Sequence, residues 1–154
     1  MKKNKVNHDT VTVVHEIIKL VKIINVHSKI ISDNIPSKNH GKDTIKTFCL
    51  ADYCAYTDNV ENEGVRDYRT AKSELKSYFD TLSFETTKDV MALMYLGRNA
   101  SLDDLYGTKL SDRITEYRSV RFHNGKDGMA EHIQGKSKAL DKYLEDGLRI
   151  IGWE

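Results

Sequence analysis

The chain has 154 residues, of which 39% are hydrophobic and 31% charged. That is enough for a core that needs no disulfide or structural metal, and the balance excludes an intrinsically disordered chain. Its 24 Lys+Arg stand against 23 Asp+Glu, which excludes the strong uniform positive field of a typical nucleic-acid binder, so any such role needs a local patch. One compact domain over 1–154 is expected.

In chain order, Met1-Lys2-Lys3-Asn4-Lys5 leads into polar residues rather than an apolar run with a small-residue cleavage site, so no secretion signal is read and residues 1–9 are expected to be flexible. Asp9 or Thr10 can cap a long first helix, because Val14, Ile17, Ile18, Val21, Ile24 and Ile31 recur at helical spacing. Only its start, Val11-Thr12-Val13-Val14, carries a competing strand signal. Leu20, Ile23, Val26 and Ile30 form a second apolar stripe beside the first, which points to the central helix of a bundle or to a dimer contact. His15, Glu16, Lys19, Lys22 and Asn25 within Val11 to Ile31 argue against a membrane span. A cytoplasmic protein is expected.

Residues 33–42, with Pro36 and Gly41, read as a loop. Asp43 caps a helix through Ile45, Phe48, Cys49, Asp52 and Tyr56, broken at Asn59 to Gly64. Cys49 and Cys54 lie five apart on that helix and point away from each other, as core thiols. A helix follows from Val65 to Thr81 with Tyr68, Ala71, Leu75, Tyr78 and Phe79 inward. Ser83 caps the next, which is expected to stop at a left-handed Gly97. Met91, Leu93, Met94 and Leu96 place that helix in the core, with Arg98 turned outward toward Asp103 or Asp104.

Ser101 and Asp104 resemble a capping box for a helix carrying Leu102, Leu105, Leu110, Ile114, Tyr117 and Val120 inward, with Gly107 a point of interruption. A turn is read over His123 to Gly128, then a short helix from Met129 to Gln134. The last helix begins near a Ser137 cap, with Leu140, Tyr143, Leu144, Leu148 and Ile151 as its stripe and Gly147 admitting a close neighbour. The fold class is all-α, a compact bundle of five to seven helices.

Glu74 to Phe79, Val90 to Arg98 and Leu140 to Leu148 resemble the bacterial domain-of-unknown-function family 3775, and the first helix is similar to its N-terminal segment. Tyr95 stands where the family pattern favours a tryptophan, and Asn34 to Asn62 has no counterpart. The resemblance implies a helical fold and supplies no activity and no functional residues.

Chemistry-bearing patterns are sparse. Ala130 to Ser137 satisfies the permissive form of a phosphate-binding loop, but no hydrophobic strand precedes it and one glycine cannot build the amide cradle, so it reads as a junction between helices. His8, His15, His27, His40, His123 and His132 lack the short paired spacing of metal ligands, and Lys19 stands where a second histidine would complete His15-Glu16. Asp103 and Asp104 read as capping charges, and neither cysteine has a nucleophile context. No catalytic, cofactor or metal residue is assigned.

The expected function is a non-enzymatic helical protein–protein interaction module whose partner is a second copy or another protein, with Ile23, Val26 and Ile30 as the partner surface. The alternative is a nucleic-acid-associated domain using Arg113, Arg118, Arg121, Lys126, Lys136 and Lys138, with Tyr117 and Phe122 interleaved. An enzyme whose site is assembled from distant residues is a third class.

Overall fold

A computed structural model describes residues 8–34, 63–102 and 107–153. These form α1 (His8–Asn34), α2 (Glu63–Thr81), α3 (Phe84–Arg98), α4 (Leu110–Arg118), α5 (Gly125–Gln134) and α6 (Ser137–Ile150). Residues 100–102 add a helical turn, and no strand occurs among the described residues. The protein is an all-α bundle. The helix expected from Asp43 to Tyr56, the Pro36 loop, both cysteines, Leu105, Asp103 and Asp104 lie outside the described residues.

In α1 the strand signal of Val11 to Val14 loses to packing. Val11, Val14, Ile17, Ile18, Val21 and Ile24 are all buried, each contributing roughly 1.5–3 kcal/mol, against the few tenths by which β-branching disfavours a helix. The helix already includes His8 and Asp9 and runs on to Asn34, so residues 8–9 are not a flexible arm and 33–34 are not loop. Thr10 is no cap. It is 2% exposed, and its hydroxyl donates to Asp89 Oδ2 at 3.3 Å, a tertiary use that outweighs the local one.

The central helix is α3 rather than α1. Thr87, Val90, Met91, Ala92, Leu93, Met94, Leu96 and Gly97 are buried almost all the way round it, as a helix covered on several sides requires. Ser83 caps it as expected, its hydroxyl accepting from the Thr86 amide at 3.1 Å. The cover comes from α6, through the most extensive helix contact among the described residues, and from α4 and α5, while α1 packs on α2 and α6. Asn25 donates to the Ser137 carbonyl at 3.0 Å, and Lys22 pairs with Glu145 at 2.5 Å. Rising numbers on α1 thus meet falling numbers on α6, so the two run antiparallel.

Gly97 does not take the left-handed conformation expected of it. The helix passes through it, and Asn99 closes the end by donating its amide to the Tyr95 carbonyl. Its role is tertiary: a β-carbon at Gly97 would lie 2.7 Å from the Tyr143 carbonyl carbon and 2.9 Å from the Gly147 amide nitrogen. Gly147 answers from α6, where a β-carbon would lie 2.9 Å from the carbonyl carbon of Leu93. Two glycines thus bring the backbones of α3 and α6 together, and the close approach expected at Gly147 is present.

Three boundaries differ from the sequence reading. Gly107, the expected point of interruption, stands at φ +60°, a conformation that side chains disfavour, and α4 starts only beyond it, behind Lys109 with no side-chain cap. Leu102 and Val120, expected inward, are exposed, because neither shares a continuous helix with Leu110 and Ile114. Helix α5 begins at Gly125, ahead of the expected Met129. Burial of Met129, Ala130 and Ile133 offsets the helix cost of Gly128, about 1 kcal/mol. Ser137 is the first residue of α6 rather than its cap, and Lys136 precedes it without a side-chain hydrogen bond.

Candidate functional site

The six cations expected to meet nucleic acid are not held alike. Arg118, near the end of α4, forms an ion pair with Asp89 and a second with Glu85 at 2.9 Å. Lys88 also bonds to Glu85, at 2.8 Å. The hydrogen-bonded Lys88 ammonium and the Arg118 guanidinium hold the Glu85 carboxyl below its ordinary range. Much of the charge of Arg118 is therefore spent inside the protein. Lys126 donates to the Asp80 carbonyl at 3.0 Å, turned toward the end of α2. Lys138 is exposed on α6, and Lys136 lies half-buried in the turn before it. Arg113 is half-buried on α4, and Arg121 is exposed in the link that follows.

Arg118 and Arg121 do meet at one place. A cavity of about 480 Å³ opens between the start of α3 and residues 118–125, floored by buried Met129 and lined by Phe84, Lys88, Val120 and Phe122. The Lys88 ammonium lies 4.4 Å from the centre of the Phe84 ring. Sequence reasoning missed Phe84 and Lys88. Their available signal was a large aromatic next to the Ser83 cap with a cation one turn later, which local pattern alone reads as an ordinary wet helix start.

A second cluster joins α3, α4 and α5. Tyr95 Oη and His132 Nε2 are 2.9 Å apart, Tyr95 stacks on Tyr117 with centroids 5.4 Å apart, and Asn99 donates to the Tyr117 hydroxyl at 3.1 Å. Phe122 lies 5.1 Å from the His132 ring, so this seam adjoins the cavity. Arg98 sits 6.0 Å over the Tyr95 ring and is exposed as expected. Burial first, then the charges of Lys136 and Arg98, push the His132 pKa below 6.5.

That shift has a definite sign. Because the folded ring resists protonation, the unfolded chain takes up the proton first as pH falls below 6.5, and stability falls with it until the folded ring also titrates. Chemical denaturation between about pH 8 and pH 5 is therefore expected to show a declining midpoint. In His132→Gln the part of that decline due to this ring disappears. An equal decline in both proteins contradicts the assignment.

The third feature is the outer side of α1. Ile23, Val26 and Ile30 are 38%, 58% and 45% exposed, whereas the other face of the same helix is core. Beside them, Leu20 and Glu16 edge an open groove shared with Arg69, Ser73 and Tyr78 of α2. Burial and the nearby Glu16 carboxylate raise the Tyr78 pKa. Ala130 to Ser137 spans the junction from α5 to α6, and the core positions of Ala130 and Ile133 belong to helix packing. Among the described residues no three His, Cys, Asp or Glu side chains gather as a metal-holding group. No helix among them is long and apolar enough to cross a membrane.

Comparison with protein-family models, curated proteins and solved structures finds no match to this chain.

Proposed function

We propose that the protein is a non-enzymatic helical interaction module that associates with a second copy of itself through Ile23, Val26 and Ile30. The observation that carries this reading is the exposure of three β-branched aliphatic side chains on one side of α1. Such a stripe is uncharged and self-complementary, so a two-fold axis can lay it on its own copy. Three half-exposed side chains fall well short of the roughly 800 Å² per partner of a stable interface. The association is therefore expected to be weak and concentration dependent.

Sedimentation across about two decades of micromolar concentration tests it. The parent's average mass is expected to rise with concentration, while Val26→Glu, placing a charge on the most exposed member, stays monomeric. A parent that remains monomeric throughout overturns the proposal.

Two further parts of the reading rest on the same chain. Membership of family 3775 is supported by the stretches that resemble it, two of which, Val90 to Arg98 and Leu140 to Leu148, hold Gly97 and Gly147, the two glycines that bring α3 and α6 together. A cytoplasmic location is supported by the charged residues Glu16, Lys19 and Lys22, which interrupt the most apolar helix.

A further inference from the structure

The cavity between α3 and the link after α4 combines an apolar lining with charge of one sign. Its lining is largely apolar, with Phe84 44% and Val120 38% exposed at the rim over a Met129 floor that is 1% exposed. Its charged lining has one sign: Lys88, Arg118 and Arg121 contribute, and no carboxylate does, among the described residues. Glu85 and Asp89 engage Lys88 and Arg118 from α3, whereas Arg121 is exposed and has no ion-pair partner among the described residues. One cation at an apolar opening is thus unpaired among the described residues.

We propose that this cavity docks a segment of a partner protein that presents an aromatic or aliphatic side chain next to a carboxylate. The apolar side chain would enter between Phe84 and Val120 to rest on Met129, and the carboxylate would meet Arg121, where guanidinium geometry suits two-oxygen pairing. A peptide fits better than a nucleic acid. Phosphate tracking needs several uncommitted cations in a row, and here Arg118 is bound to Asp89 and Glu85 while Lys126 is turned to the Asp80 carbonyl. The cavity shares no residue with the α1 stripe, so this docking and the proposed self-association stand or fall separately.

Fluorescence anisotropy on the full chain tests the proposal with three labelled probes: a short peptide with phenylalanine between two glutamates, the same peptide with lysines for glutamates, and a mixed-sequence single-stranded oligonucleotide. The glutamate peptide is expected to bind at least about tenfold tighter than the lysine peptide. In Arg121→Glu that preference reverses, and in Phe84→Ser binding of the glutamate peptide weakens by a similar factor. Both positions are exposed, and an unchanged denaturation midpoint verifies that each variant folds. Equal binding of the two peptides, no binding up to about 1 mM, or a preference indifferent to Arg121→Glu overturns the proposal. Tighter binding of the oligonucleotide, lost in Arg121→Glu and falling steeply with salt, overturns it in favour of a nucleic-acid site.

Discussion

Alanine at Gly97 is expected to destabilise the protein by about 3 kcal/mol, which lowers a urea midpoint by roughly 1–2 M for a chain of this size. The added methyl would press on the backbone of α6 at Tyr143 and Gly147, and a backbone held in a helix cannot step aside as a flexible side chain can. The helices must separate, loosening contacts along the most extensive helix seam among the described residues. Gly135→Ala is the matched control. Gly135 has an ordinary helical φ of −61°, and its added methyl meets only carbonyl oxygens of the preceding turn at 3.4 Å. That variant should be neutral or gain about 0.4–1 kcal/mol by restricting the unfolded chain. If the two variants share a midpoint, α3 and α6 are not in backbone contact at Gly97.

The contrast between these glycines also marks how far sequence reasoning reaches. The buried stripes of α1, α2 and α6 are legible because spacing alone puts Val14, Ile17, Ile18, Val21 and Ile24, or Leu140, Leu144 and Leu148, on one side, and those side chains are buried. Gly97 followed by Arg98 looks locally like a helix end, and only its contact with Tyr143 and Gly147 reveals a packing role. Gly125 to Gly128 looks like a turn for the same reason. Local preference favours a break there by about 1 kcal/mol per glycine, and tertiary burial of Met129 and Ile133 reverses the balance.

The candidate surfaces divide along the same line. The outer stripe of α1 was legible from periodicity, since Ile23, Val26 and Ile30 fall beside the core face, and the structure leaves them exposed. The basic residues of the C-terminal third were visible as composition, but composition does not tell which charges are already spent. Arg118 finds Glu85 and Asp89 across the bundle, and Phe84 joins Val120 and Phe122 only through the packing of α3 against the link after α4. Such meetings depend on crossing geometry, which no local window contains.

Leu93→Ala is expected to cost 2–5 kcal/mol, on the order of the loss when a fully buried leucine is truncated in a close-packed interior. Leu93 is 1% exposed, and its backbone lies against Gly147, so the surrounding helices are held at a distance set by glycine and have little freedom to close on the void. Arg98→Ala, one turn further along the same helix, removes an exposed side chain lying 6.0 Å over the Tyr95 ring and should cost about 0.5–1 kcal/mol. Urea denaturation of both variants beside the parent checks the contrast, with unchanged slopes showing that the difference lies in stability rather than in compactness. If Leu93→Ala unfolds at the parent's midpoint, this stretch is not the core. The apolar surface of Met91, Leu93, Met94 and Leu96 would then have to be satisfied by another molecule, and α3 would displace the outer face of α1 as the surface through which the protein meets its partner.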